Sequence, residues 1–494
     1  MPVIKGRMLM PGAEWFQTHW VAVVLLVAYT ALMIYHAWVG KRETRSLGDY
    51  YVGGRGMGGL LIGVSFFATY ASTNSYIGHA GMGYAYGLPW LIMAALIVVF
   101  TGLSWVVIAP RLRLFTASWE SLTVPDYLER RFAAQGPTLR VASGVVILVS
   151  SILYLVAIYK GAGTLFEVFL GIDYSSAVLL TLLIVMGYTA IGGFVSVVRT
   201  DFLQGLLMII GAVTIFVCIT SAAGGADRLP ELATRPDTAH LFTWNAGIPL
   251  VVLIGIALSG SLKLLVDPRQ VSRFYALRDE RSVRTGFWVA VIGIAIIQFS
   301  LFPVGIYTRF LMDGVTDTDL IMPTLLNDPS VFPVWVADFL LVAMIAAAMS
   351  SMDSVLLVAA TVFHRDLVGI VRPATDPMSW TRWAVVGIAV VSAWIALRPP
   401  GGIVEITIFS GSLYAVCFLP AILLGLHWRK GTARAVLASM LVGTVVLLAW
   451  LLTGLGDVLH EVFPALAASC LTYVIIALNS PPALDRWPTP ADQA

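Results

Sequence analysis

Long apolar runs follow one another along nearly the whole chain, and polar residues collect in the short breaks between them. A helix that crosses a bilayer needs about 20 mostly apolar residues. By that measure the pattern predicts thirteen helices, near 15–39, 58–81, 87–109, 138–170, 174–197, 201–222, 246–266, 284–310, 333–361, 379–397, 403–426, 433–453 and 461–479. The first run is long enough to span and is followed by a basic loop, so it reads as a retained helix rather than a cleaved leader. The second is the least regular, rich in glycine and small polar residues. The tenth and eleventh divide at Pro399-Pro400-Gly401-Gly402.

Composition agrees with the pattern. Of 494 residues, 59% are hydrophobic and 12% charged, about half the roughly 25% charged residues of a soluble protein. The expected class is therefore an all-α polytopic membrane protein. No stretch between the runs exceeds about 25 residues, too short to bury a core of its own. That argues against a receptor with a signalling domain and against a membrane-anchored soluble enzyme. No HExxH or GxSxG motif is present. A net charge of +2 carries no footprint for nucleic acid. Cys218, Cys417 and Cys470 are scattered in apolar runs and form no metal or disulfide spacing.

Loop charge sets an expected orientation. With the N-terminus outside, the inner loops hold 23 of the 30 Lys and Arg residues and the outer loops six. The acidic 311–333 loop falls outside. The split favours N-out, C-in and an odd number of spans. Lys160 is the remaining cation, inside the fourth span.

Two spans depart from plain apolar helix. In the second, Thr69, Ser72, Thr73, Asn74 and Ser75 crowd the middle, and Gly78, Gly81, Gly83 and Gly87 follow. Such residues hydrogen-bond to nearby backbone and weaken a helix. An unwound helix at mid-membrane exposes carbonyls to a coupling ion in many secondary transporters. A Ser/Thr-rich helix packed tightly on a neighbour fits the same residues. In the ninth, the Ala347 carbonyl points along the helix toward the hydroxyls of Ser350 and Ser351, three neutral oxygens in one patch. Hard cations take such oxygens, and two carbonyls from a broken helix would complete a five-oxygen cage. Back-bonding of each serine to its own helix is the plainer alternative. Asp353 beside them is an intramembrane carboxylate, rare and usually functional.

Five segments resemble the sodium:solute symporter family. They are Tyr51-Val-Gly-Gly-Arg55, the run Tyr188 to Gln204, Asp267-Pro-Arg-Gln-Val-Ser-Arg-Phe-Tyr-Ala276, Ala347-Ala-Met-Ser-Ser-Met-Asp-Ser354 and Leu423-Leu-Gly-Leu-His-Trp-Arg-Lys430. They fall in order over roughly 40–445. The resemblance implies a five-plus-five inverted repeat (LeuT-like), with repeats at 41–222 and 223–432 between a peripheral helix at 1–40 and peripheral helices and a cytoplasmic tail at 433–494. It implies a sodium site of the Ala68, Ala71 and Ala347 carbonyls and the Ser350 and Ser351 hydroxyls. A candidate second cation site corresponds to Asp201, Asp353 and Ser354, with a carboxylate at 353 where those members carry a hydroxyl. Thr200 and Asp201 also suit the start of the sixth span as an N-cap. Tyr70 stands where several members have a smaller polar or acidic residue.

The solute-binding candidates are Tyr70, Ser72, Thr73, Asn74 and Lys160. Lys160 suits an anionic solute. It equally suits a snorkelling lysine paired with Glu167, two turns along the same face. The segment Ala68 to Trp90 is most similar to pantothenate- and carboxylate-carrying members. The expected function is sodium-coupled symport of a small organic solute, with a carboxylate as the favoured class, by alternating access in the plasma (inner) membrane. The sodium ion and solute are the implied partners along with lipid; a monomer suffices. A proton-coupled or ion-independent carrier, and a membrane sensor without net transport, stay open as alternatives.

Overall fold

The computed structural model describes residues 13–244, 247–371 and 376–481. The loop cations Lys5, Arg7, Arg372 and Arg486, and the tail from 482 onward, lie outside the described residues. The chain is helical throughout what is described, with one isolated bridge between Met57 and Leu277. Ten of these helices are long and apolar enough to cross a membrane, and Gly59–Tyr70, Tyr174–Met186 and Val462–Leu478 are shorter apolar helices.

In chain order the apolar helices are α1 Trp20–Glu43, α2 Gly59–Tyr70, α3 His79–Tyr86, α4 Leu88–Ser118, α5 Thr138–Leu170, α6 Tyr174–Met186 and α7 Gly192–Ala222. Then come α8 Leu250–Leu262, α9 Pro268–Ala276, α10 Glu280–Tyr307, α11 Val334–Val362, α12 Pro377–Ala396, α13 Ile403–Leu419, α14 Ala433–Leu452 and α15 Val462–Leu478. The core surrounds α11, whose apolar stretch is 94% buried, whereas that of α1 is 22% buried. A helix apolar all round belongs in the middle of a bundle. Outer helices α12 and α14 turn Trp380, Trp383, Trp394, Leu441 and Leu452 outward, as a lipid-facing surface requires.

The predicted second span is two half-helices. Helix α2 ends at Tyr70, Ala71 is extended (φ −71°, ψ 126°), and the chain resumes in a π-turn, Asn74–Gly78, before α3. The seventh predicted span, 246–266, is followed by a second short helix in the expected loop, so this element too is broken. Helix α8 stops at Leu262, and α9 begins at Pro268 with Asp267 as its N-cap. The two broken elements are joined at their ends: the Met57 N–H donates to the Ala276 carbonyl at 2.9 Å, and the Arg278 N–H to the Met57 carbonyl at 3.0 Å.

The boundary between the fifth and sixth spans differs from expectation. Helix runs through it, turned once at Gly193 (φ 63°, ψ −169°). Thr200 and Asp201 are thus well inside α7, and Asp201 caps nothing. The Thr200 hydroxyl back-bonds to Val197 O at 2.9 Å.

Helices α2 and α3 lie on α10 through small residues, as helices in lipid require for close backbone approach. A Cβ on Gly305 would lie 2.0 Å from the Ala80 carbonyl oxygen, and one on Gly83 would lie 2.5 Å from that of Phe302. Backbone cannot yield as a flexible side chain can. Gly305→Val is therefore expected to cost at least the roughly 1–3 kcal/mol of ordinary overpacking. It should appear as a lowered unfolding temperature and a shrunken monodisperse peak in detergent size-exclusion chromatography. A wild-type profile would show that this contact is not tight.

Candidate functional site

The break after Tyr70 frees carbonyls that helix would otherwise have consumed, and α11 brings two serines to meet them. Ser350 Oγ lies 2.9 Å from Ala68 O and 3.1 Å from Ala347 O. Ser351 Oγ lies 3.0 Å from Thr69 O and 3.2 Å from Ala71 O. All of these residues are buried. The five oxygens expected from the sequence are thus gathered, with the Thr69 carbonyl as a sixth that the sequence reading missed. Ser351 turns to the broken helix rather than to Ala347. Each hydroxyl carries one proton, so the six oxygens share two hydroxyl protons, and only the Ala347 carbonyl also lies inside an unbroken helix. The surplus of lone pairs, without a nearby thiol, imidazole or carboxylate in the cluster, suits a hard monovalent cation.

The second group of candidates is brought together only in part. Asp201 Oδ2 accepts from Ser65 Oγ at 2.5 Å and faces Arg273 Nη2 at 3.3 Å. The same Nη2 donates to Thr69 Oγ1 at 2.7 Å and to Ser354 Oγ, and Arg273 Nη1 donates to Arg269 O at 2.8 Å. Arg273 is 1% exposed. A guanidinium therefore stands among Asp201, Ser354, Thr69 and Ser65. Asp353 is elsewhere: its Oδ1 accepts from Thr189 Oγ1. Adjacent positions on a helix point about 100° apart, so Asp353 and Ser354 face different neighbours.

Of the solute candidates, Tyr70, Ser72, Thr73 and Asn74 line the break. The Tyr70 hydroxyl donates to Gly260 O at 3.1 Å, which links the two broken helices. Ser72 Oγ accepts from the Tyr154 hydroxyl at 3.2 Å. Asn74 Nδ2 meets His79 Nε2 at 3.0 Å, and His79 stacks on Phe302 with ring centres 4.3 Å apart. Thr73 Oγ1 and Asn74 Oδ1 are buried and have no partner among the described residues.

Lys160 is a correction. Its ammonium is 2.6 Å from Asp319 Oδ2 and 3.2 Å from Gly401 O, so it pairs neither with Glu167 nor at the break. Asp319 Oδ2 also accepts the Ile403 N–H at 3.2 Å, at the start of α13. The three contacts tie α5 to α13 through the acidic loop. Lys263, Arg269 and Arg273 are a second correction. Counted as loop cations, they are all buried, because α8 unwinds and the chain folds back into the bundle. The available signal was their crowding, with Asp267, at the end of one apolar run.

Two broken helices linked through Tyr70 and Gly260, with a buried oxygen cluster where the first meets α11, are the architecture of a secondary active transporter. The chain belongs to the sodium:solute symporter family, whose model matches residues 50–443. Among curated relatives, the osmoregulated proline transporter OpuE of Bacillus subtilis is 30% identical over 470 residues, covering 92% of this chain and 94% of that one. A sodium/pantothenate symporter of Haemophilus influenzae is 28% identical over 449 residues, covering 89% and 92%. Among solved structures, the substrate-bound outward-open state of a Na+-coupled sialic acid symporter superposes with TM-score 0.78 at 21% identity, over 94% of this chain and 99% of that one. The protein is accordingly an integral membrane symporter that couples a small organic solute to sodium, which decides among the readings open to the sequence.

Proposed function

We propose that sodium is held by the carbonyls of Ala68, Thr69, Ala71 and Ala347 with the hydroxyls of Ser350 and Ser351, and that one sodium accompanies each solute. The observation that carries the site is the excess of buried oxygens over protons where α2 meets α11. The single-ion count rests on Arg273, whose guanidinium supplies the positive charge between Asp201 and Ser354.

In this reading the chain has thirteen spans, N-terminus outside and C-terminus inside, and works as a monomer. Residues 41–222 and 223–432 form the inverted repeats, each opening on a broken helix, at 71–73 and 263–267. Residues 1–40 and 433–494 are peripheral. Sodium entering from outside bridges α2 and α11 and shapes the break for solute. A membrane potential contributes about 2.3 kcal/mol per charge per 100 mV to this step. The Lys160–Asp319 contact serves as the outer latch, opened when the protein faces outward. Closing it and opening the inner side releases the ion, and the loosened break releases the solute. Coupling requires that sodium bind the outward state more tightly, since equal affinity shifts nothing.

The test is thermal unfolding of the purified protein titrated with sodium, potassium or choline chloride. Sodium alone is expected to stabilise, with a Hill coefficient of about one. Equal stabilisation by potassium would remove the site, and a coefficient near two would remove the single-ion count.

A further inference from the structure

We infer that Lys263 is the solute-recognition cation and that the solute is an organic monocarboxylate without a fixed positive charge, its carboxylate seated against the Lys263 ammonium. This rests on the sodium-site reading above. Lys263 lies in the break between α8 and α9 and is 4% exposed. Its Nζ is 5.4 Å from the centre of the Tyr70 ring and 5.3 Å from that of Tyr154. Its stem passes α13, where a Cβ on Gly411 would stand 3.2 Å from Lys263 Cδ. The ammonium is therefore at the junction of both broken helices with α5 and α13.

The neighbouring acids are already engaged. Asp267 takes Arg269 in a fork, with Nε 3.0 Å from both carboxylate oxygens. Asp201 takes Arg273. Lys263 has no carboxylate partner among the described residues. Ring faces attract an ammonium, but they offset only part of the cost of removing it from water. A buried cation whose nearest carboxylate, Asp267, is already held by Arg269 is a place built for an anion that comes and goes. Among the described residues the same tally leaves no spare carboxylate beside Lys263 to meet a solute ammonium, which disfavours amino acids. Thr73 Oγ1 and Asn74 Oδ1, unpartnered and buried, would take polar hydrogens on the rest of the solute.

Two further features agree. Tyr70 lies between Thr69 and Ala71, whose carbonyls belong to the oxygen cage. Sodium would order that segment and so place the ring that flanks Lys263. Beyond the break, a separate cavity of about 290 Å³ is lined by Arg55, Arg113, Tyr275 and Arg278. Tyr275 also borders the narrow space beside Pro268 and Ser272.

The test uses sodium-gradient-driven uptake of radiolabelled solute into proteoliposomes of the full chain, because one sodium moving with one monocarboxylate carries no net charge. The probes are lactate, pyruvate, benzoate, pantothenate, proline and glucose, one at a time. Uptake of at least one monocarboxylate, and none of proline or glucose, is expected. Lys263→Met should raise the KM of that monocarboxylate about 100-fold, with Lys263→Arg in between, while sodium still stabilises both variants against heat. A carboxylate KM within twofold of wild type in Lys263→Met overturns the assignment. So does transport of proline or glucose in preference to every acid, or sodium stabilisation with no acid carried. Absence of sodium stabilisation in the wild type would instead defeat the sodium cage.

Discussion

Ser351→Ala is expected to weaken sodium binding about 10- to 150-fold and to abolish sodium-driven uptake at ordinary sodium concentrations. The magnitude follows from the interaction lost. A hydrogen bond or dipole contact to a charged group is worth about 1.5–3 kcal/mol, and each 1.4 kcal/mol is tenfold. The Ser351 hydroxyl reaches both Thr69 O and Ala71 O, so its removal opens the cage on the broken-helix side. Ser350→Ala, opposite Ala68 O, should act alike. The measurement is the sodium concentration at half-maximal thermal stabilisation, read beside uptake. A midpoint unchanged in both variants would place the ion elsewhere. Folding is a lesser concern, because alanine removes only one oxygen from a helix in which alanine is favoured.

Arg273→Ala is expected to be strongly destabilised without sodium and partly rescued by it. Removing one partner of a buried ion pair costs about 3–5 kcal/mol, because the other charge is left uncompensated. Here that charge is Asp201, fully buried, with the hydroxyls of Ser65, Thr69 and Ser354 around it. A carboxylate and three hydroxyls without a guanidinium form a cation site. The variant should therefore bind a second sodium, with a Hill coefficient rising from about one toward two. Arg273→Ala combined with Asp201→Asn removes both charges and should recover stability without gaining the second ion. If Arg273→Ala binds sodium as the wild type does and unfolds at the same temperature, the guanidinium is not the resident cation. Wild-type behaviour of this kind would also reopen the stoichiometry.

Much of this protein is local, and local features were legible. The fourth expected span, 138–170, coincides with α5, Thr138–Leu170. The ninth, tenth and eleventh expected spans begin within two residues of α11, α12 and α13. The weakening of the second span between Thr69 and Ser75 became a real break. Ser350 and Ala347, three residues apart on one helix, met as helix geometry requires. Hydropathy, helix-weakening side chains and i,i+3 neighbours act within a few residues, so a linear reading recovers them.

The charged groups behaved otherwise. Lys263, Arg269 and Arg273 carry the mark of a loop in any local window, yet all three are buried. Their burial depends on Asp267, Asp201 and two tyrosine rings, most of them supplied by other helices. Lys160 has an acid two turns away on its own helix and pairs instead with Asp319, 159 positions along the chain. Asp201 was suited to a cap but stands inside α7, because Gly193 and not the charged residues turns the helix. Asp353 and Ser354 are neighbours in sequence and strangers in space. The chain's own order thus dictates the long apolar helices, the break and the oxygens that gather beside it. Which charges meet, and hence which cations are paired and which has no carboxylate partner among the described residues, was decided only when distant helices packed. A buried charge is stable only beside its counter-charge, and local sequence does not say where that lies.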